Sequence, residues 1–279
     1  MKTSNKLLIG FAILTLLIPV VVMAVISKVY YTDAKSWADL EKQNETFDGK
    51  SENMDAITLS QFNAINIADG KEVDFYIHLV KDKKFGVKVA KRNKDFIKFN
   101  VDKDGRLQIN LTSTKNTYNY IELYVYAPET NALSAYNVSD LELNVKADSL
   151  SLNLKKFLNL KFNEATKLET LSVNSEGGYT NIEENAVVKS LYLNLNSASF
   201  RSERISYEDL SITSTGNSEI NVFGGNADQQ KYSIGKLTLK TTDSANVTFR
   251  SVAILDTRGS LSDQTTVQLP VSSLRQLLK

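Results

Sequence analysis

Between Leu133 and Leu269 apolar and polar residues alternate in a phrase that keeps returning: a leucine, any residue, a second apolar residue, then often asparagine. It reads Leu141-Glu-Leu-Asn144, Leu150-Ser-Leu-Asn153, Leu158-Asn-Leu-Lys161, Leu171-Ser-Val-Asn174, Leu191-Tyr-Leu-Asn194, Leu210-Ser-Ile-Thr213 and Leu237-Thr-Leu-Lys240. Period-two alternation puts Leu191, Leu193 and Leu195 on one face of a strand and Tyr192 and Asn194 on the other, as in a half-buried strand. Phrases starting at 150, 171, 191 and 210 are 21, 20 and 19 residues apart. Such a spacing is one coil of a solenoid, whose units bury their apolar faces only on their neighbours. Between phrases lie segments that begin as turns and become apolar: Glu176-Gly-Gly-Tyr179, Asn196-Ser-Ala-Ser-Phe200, Gly216-Asn-Ser-Glu-Ile220 and Asp243-Ser-Ala-Asn-Val247. Two short strands therefore fit each coil. The pattern predicts an all-β fold, a single-chain parallel β-helix with coils of about 20 residues over 62–269.

From 210 to 237 the step stretches to 27 residues, and the excess at 224–231 predicts a loop protruding from the coil. Upstream, Val73, Phe75, Ile77 and Leu79 share a face, as do Phe85, Val87 and Val89, then Leu107, Ile109 and Leu111, then Ile121, Leu123 and Val125. These strands are expected to begin the solenoid and cover its first open edge. Lys81-Asp-Lys-Lys84 and Asp102-Lys-Asp-Gly105 read as hairpin turns, the second with a glycine free to take positive φ. Residues 270–279 read as a short amphipathic helix capping the last coil.

The N-terminus breaks the pattern. Lys2 and Lys6 precede an uncharged apolar run, Leu7–Ile26, of 20 residues. A helix rising about 1.5 Å per residue over that length spans roughly 30 Å, the hydrocarbon core of a bilayer. Residues 1–6 are then a cytoplasmic tail, 7–26 a single-pass anchor, and the body faces the periplasm or the exterior. A cleaved signal peptide, with Val22 and Ala24 before the cut, is the competing reading, although the run exceeds the usual length of about 7–15 residues. Residues 27–61, rich in Asp, Glu, Lys, Asn and Ser, read as a stalk, with Ser36–Glu41 as a short helix in it.

Composition narrows the chemistry. The 279 residues carry 33 basic and 32 acidic side chains with no basic block, so the footprint of a nucleic-acid binder is missing. No cysteine is present, and the one histidine, His78, sits on the outward side of its strand. Zinc chemistry of cysteine type and a nucleophile–histidine triad therefore lack their parts, and no cofactor is implied. Carboxylates remain: Glu183, Glu184, Asp209 and Asp243 lining up across coils would be the acids of a polysaccharide-active enzyme.

The candidate binding residues are outward-facing. Asn144, Asn153, Asn174 and Asn194 take the same slot after the repeated apolar pair, and stacked phrases would repeat them about every 4.8 Å. They fit either a structural amide ladder or a flat surface for a glycan or envelope protein, with Tyr192 and Tyr179 as aromatic platforms. Lys155, Lys156 and Lys161 add a local basic spot. Tyr118, Tyr120, Tyr124, Tyr126 and Tyr136 cluster in sequence, and Tyr124 and Tyr126, alternating with Ile121, Leu123 and Val125, are expected to form an exposed aromatic pair.

The opening Phe62-Asn-Ala-Ile65-Asn-Ile67-Ala-Asp-Gly70, the middle Tyr120-Ile-Glu-Leu-Tyr-Val-Tyr-Ala-Pro128 followed by Leu133, and the serial coils with small-residue turns resemble the GIN domain family of exported Bacteroidota proteins. The resemblance implies a single-chain β-helix at the cell envelope, with an adhesin head as the family label, and supplies no catalytic residue. Where the family often has Gly-Ser-Gly at the turns, this chain has Asn-Ser-Ala, Gly-Asn-Ser and Asp-Ser-Ala. The expected function is a membrane-anchored, non-catalytic binding or adhesion module. A structural envelope-maintenance part assembling with membrane proteins, or a polysaccharide-active enzyme, are the alternatives.

Overall fold

The computed structural model describes residues 3–30, 43–113, 120–163, 165–184, 186–225 and 231–277. The helix expected at Ser36–Glu41, Tyr118 and residues 226–230 of the expected loop lie outside them. The chain divides into two units, Met1–Glu45 and Thr46–Lys279.

In the first unit, α1 (Thr3–Tyr30) is one helix with Pro19 inside it. Its window Phe11–Lys28 has a mean hydropathy of 2.4, long and apolar enough to cross a membrane. Lipid-embedded helices tolerate such a proline because their freed backbone groups find other partners.

The second unit is a parallel β-solenoid. Its later coils each place one strand in a first stack, β9 (Lys167–Glu176), β11 (Val187–Asn196), β13 (Tyr207–Thr215), β15 (Ser233–Thr241) and β17 (Ala253–Ser260). The other strand of each coil joins a second stack, β10 (Tyr179–Ile182), β12 (Ser199–Glu203), β14 (Ser218–Phe223), β16 (Ala245–Arg250) and β18 (Thr265–Gln268). Register follows the leucine phrase: Leu150 pairs with Leu171, Leu171 with Leu191, Leu191 with Leu210 and Leu210 with Leu237. These leucines are at most 2% exposed and join one core running from Phe62 to Leu269. One-residue slips would turn every such leucine to water, which is what pins the register.

At one corner of the coil the residue after the middle of β8 and after β9, β11 and β13 takes a left-handed backbone: Lys156 (φ 52), Gly177 (φ 73), Ser197 (φ 50) and Gly216 (φ 68). There the Gly177 amide donates to the Asn196 carbonyl and the Ser197 amide to the Thr215 carbonyl, each at 2.9 Å, so the ladder continues round the bend. Glycine meets this requirement at no steric cost; lysine and serine do so under strain.

Strand β8 (Ala132–Phe162) winds through more than one coil as a single extended element, with Asn137 and Lys156 at its bends. Its opening pairs with β2 (Ala64–Ile67), its next part with β3 (Asp74–Lys81), its middle with β9 and its end with β10. The phrases at 141–144 and 150–153 therefore lie in different stacks.

The N-terminal end is closed by antiparallel additions. β5 (Ile97–Val101) and β6 (Arg106–Leu111) form a hairpin in which Gly105 (φ 72) makes the turn, and β6 lies parallel on β2. The hairpin expected at 81–84 is not one. Its flanking strands do not pair, because β7 (Tyr120–Ala127) lies between β3 and β4 (Gly86–Ala90), parallel to the first and antiparallel to the second.

β1 (Met54–Thr58) pairs antiparallel with β4. Residues 46–61 are accordingly part of the body, a correction to the stalk expected over 27–61. The segment is fastened by Phe47, whose ring meets Tyr126 edge-on at 5.5 Å, and by the Phe47 amide donating to Asp82 Oδ2 at 2.9 Å. The buried Lys88 amine donates to the Thr46 and Gly49 carbonyls at 2.9 and 2.8 Å. A hydrophobic anchor with satisfied polar groups folds down what composition alone reads as solvated chain. At the other end α2 (Val271–Leu277) sets Leu274 and Leu277 partly buried against the core, and Gln276 Oε1 accepts from the Thr257 amide at 2.6 Å.

Candidate functional site

Alternation within the strands sends every second side chain outward, and the registers decide which of these meet. On the first stack Asn153 pairs with Asn174, Asn174 with Asn194 and Asn194 with Thr213. The three asparagines are exposed. Asn194 Nδ2 donates to Asn174 Oδ1 at 2.6 Å. A carboxamide has two donors and an acceptor oxygen with two lone pairs, so that bond leaves most of each amide's capacity facing solvent. The row continues towards the N-terminal end through Ser134, its register partner Asn66, and Gln108, which pairs with Asn66. There Asn66 Nδ2 donates to Gln108 Oε1 and Gln108 Nε2 to Asp102 Oδ2, both at 2.6 Å.

Asn144 does not belong to this row. Half a coil away from Asn153, it sits on the second stack with His78 as its register partner, its Nδ2 3.3 Å from His78 Nδ1. The shared slot in the sequence phrase is a coincidence of β8 contributing a strand to each stack in turn.

Beside the amide row runs a second outward row: Arg106, Ala64, Ala132, Ser151, Ser172 and Tyr192. Ala64 pairs with both Arg106 and Ala132, Ser151 with Ser172, and Ser172 with Tyr192. The link between Ala132 and Ser151 is the Ser151 amide donating to the Asn131 carbonyl at 2.9 Å. Small side chains between larger ones leave a depression of about 480 Å³ at its Arg106 end, lined by Asn63, Ala64, Asn66, Asp104, Arg106, Ala132, Ser134 and Asn153. No sequence signal short of the register places residues 64, 106, 132 and 153 together. Tyr192 stands 38% exposed in the same row.

The expected aromatic pair is not exposed. Tyr124 is 8% and Tyr126 0% exposed, packed with Phe47 in a small cluster of their own. They do face away from the main core, but Phe47 and its segment cover them. His78 stacks on Tyr124 with centroids 4.1 Å apart, and its Nε2 lies 3.6 Å from Glu122 Oε1. Contact with the His78 imidazole, opposed by burial and aided by the Tyr124 hydroxyl, holds the Glu122 carboxyl below the usual carboxylate range. Burial raises the Tyr126 hydroxyl far above the ordinary phenol value. Tyr179 is partly buried on the second stack, paired with Asn159 and Ser199, and does not join Tyr192.

The basic spot disperses as well. Lys155 meets Glu176 at 2.9 Å, Lys156 meets Glu72 at 3.4 Å, and Lys161 meets Asp140 at 3.0 Å on the other stack. Nor do the four carboxylates gather. Glu183 accepts from Asn181 and Glu184 meets Arg204, both beyond the end of β10. Asp209 lies in β13, 3.8 Å from Lys236, while Asp243 accepts from the Gly216 amide at the far corner. Among the described residues no group of three or more His, Asp or Glu is arranged to hold a metal ion.

Solved structures similar to the chain include a putative adhesin from Bacteroides fragilis NCTC 9343, 15% identical, covering 76% of this chain and 98% of that one, with a TM-score of 0.39. A putative lipid binding protein from Parabacteroides distasonis ATCC 8503 is also 15% identical, covering 79% and 94%, with a TM-score of 0.38. A putative adhesin from Parabacteroides merdae ATCC 43184, again 15% identical, covers 78% and 98% with a TM-score of 0.35. No curated protein matches the sequence. The family model described as "Putative auto-transporter adhesin, head GIN domain" matches residues 61–229, from just before β2 to just past β14. With more than half its length matched, and with the coil that those residues build continuing to β18, the chain belongs to that GIN domain family.

Proposed function

We propose that the protein is a non-catalytic binding module of the cell envelope, held to the membrane by α1 with its N-terminus cytoplasmic and its body outside, and that the outer face of the first stack recognises a glycan. The observation that carries this reading is the row Asn153, Asn174 and Asn194, in register on three successive strands and exposed. Amides repeated at the strand spacing of about 4.8 Å offer donor and acceptor pairs at a step close to one sugar unit of an extended chain. An uncharged array suits hydroxyl groups better than ions, and the neighbouring Lys155 is already paired with Glu176. Lys2 and Lys6 ahead of the apolar run support the orientation.

The test is a glycan array probed with the full chain in detergent, alongside the triple variant Asn153→Ala, Asn174→Ala, Asn194→Ala. Binding by the wild type and at least a tenfold loss in the variant are expected. Equal binding by both would remove the amide row from the function. Cell fractionation and mass spectrometry of the mature N-terminus test the anchor: a body lacking residues 1–26 and released from membranes would replace it with a signal peptide.

A further inference from the structure

The amide row explains hydrogen bonding to a chain but not where on the face that chain lies. The parallel row beside it is built differently. Between Arg106 and Tyr192 every outward residue is small: Ala64, Ala132, Ser151 and Ser172. Adjacent strands lie about 4.8 Å apart, so the five steps from Arg106 to Tyr192 span roughly 24 Å. The amides flank one side of this strip, and small hydroxyls flank the other, where Ser149 pairs with Thr170 and Thr170 with Ser190.

Resting on the proposed glycan-binding reading, we infer that this strip is a trough for a short stretch of uncharged oligosaccharide, roughly five sugar units at one per strand spacing. Its Arg106 end opens into the depression of about 480 Å³, and Tyr192 bounds the other end. The floor presents methyl and short hydroxyl groups to the apolar faces of the rings, while the amides take their hydroxyls. In that depression Asp104 and Arg106 carry opposite charges and, with the amides of Asn63 and Asn66, offer a vicinal diol both donors and acceptors. Tyr192 supplies a flat apolar surface for the last ring, as aromatic side chains with one wet edge do at interfaces. Asp104 beside Arg106, Asp102 on Gln108 of the amide row, and the paired Lys155 leave no excess of positive charge to attract an acidic polymer.

The experiment measures affinity of the full chain in detergent for neutral oligosaccharides of increasing length and for counterparts carrying carboxylates. Two variants accompany it: Ser172→Tyr, which fills the trough midway without touching the amides, and Tyr192→Ala. Expected are affinities that rise with length and level off near five units, weaker binding of the carboxylated series, and a tenfold or greater loss in both variants with unchanged thermal melting. Length-independent binding, a preference for the carboxylated series, or full affinity in Ser172→Tyr would overturn the trough while leaving glycan binding by the amides in place. Absence of binding to any oligosaccharide, or capture only of a protease-sensitive partner, would overturn the trough and the glycan reading together.

Discussion

Two outward faces of this solenoid follow the same alternation and meet opposite fates. On β11, Tyr192 and Asn194 point away from the core and are exposed; on β7, Tyr124 and Tyr126 point away from the core and are buried. What separates them is the segment at Thr46–Asn53, which lies in sequence far from β7 and is fastened there by Phe47, Asp82 and Lys88. Alternation tells which residues share a face. Whether that face meets water depends on what else the chain lays over it.

Tyr126→Ala removes a fully buried ring and its contact with Phe47, so a loss of about 3–5 kcal/mol in urea unfolding is expected, whereas Tyr192→Ala should change stability by less than about 0.5 kcal/mol. Similar losses at the two tyrosines would contradict the difference in cover. Leu193→Ala, in the core beneath Tyr192, should cost about 2–5 kcal/mol and show that the exposed face rests on a packed interior.

Effects on the exposed face itself should be smaller. Asn194→Ala deletes the bond to Asn174 and is expected to cost no more than about 1 kcal/mol, because water replaces the lost partner. At the corner, Ser197→Gly relieves a left-handed backbone and should stabilise by up to about 1 kcal/mol; a destabilisation would mean that the serine hydroxyl contributes more than its strain costs.

A pH series probes the covered face. The folded Glu122 carboxyl lies below its ordinary value of 4.5, so its contribution is complete above that value and is lost as pH falls through the lower, folded one. Urea midpoints should therefore drop below about pH 4.5, less steeply in Glu122→Gln than in the wild type. Some slope will remain, since Asp69, hydrogen-bonded by Asn137, and Asp102, hydrogen-bonded by the Arg106 amide, are lowered too. Identical profiles for the two proteins would dissociate Glu122 from the His78 contact.

Much of the architecture was legible in the residues. Leucines at 150, 171, 191 and 210 are register partners because a recurring apolar residue at the coil length has nowhere else to be buried. The same spacing correctly stacked Asn153, Asn174 and Asn194. It misplaced Asn144, because the phrase has the same residues on both stacks; only the nine-residue step to Asn153, about half the coil length, tells the two apart. It also read 81–84 as a hairpin, because a turn between two alternating strands looks the same whether or not a third strand, β7, comes between them.

The alternating strands, the coil length, the apolar N-terminal helix and the uncharged outward asparagines are readable from the residues alone, because each depends on residues near one another along the chain or on a fixed period. Tertiary structure alone decided that Thr46–Gln61 belongs to the body, that Tyr124 and Tyr126 are covered, that the lysines are paired, and that Arg106, Ala64, Ala132 and Asn153 surround one depression. Those outcomes join residues tens of positions apart through strand register and through the burial of a single ring, Phe47. Neither leaves a period in the sequence from which to read it.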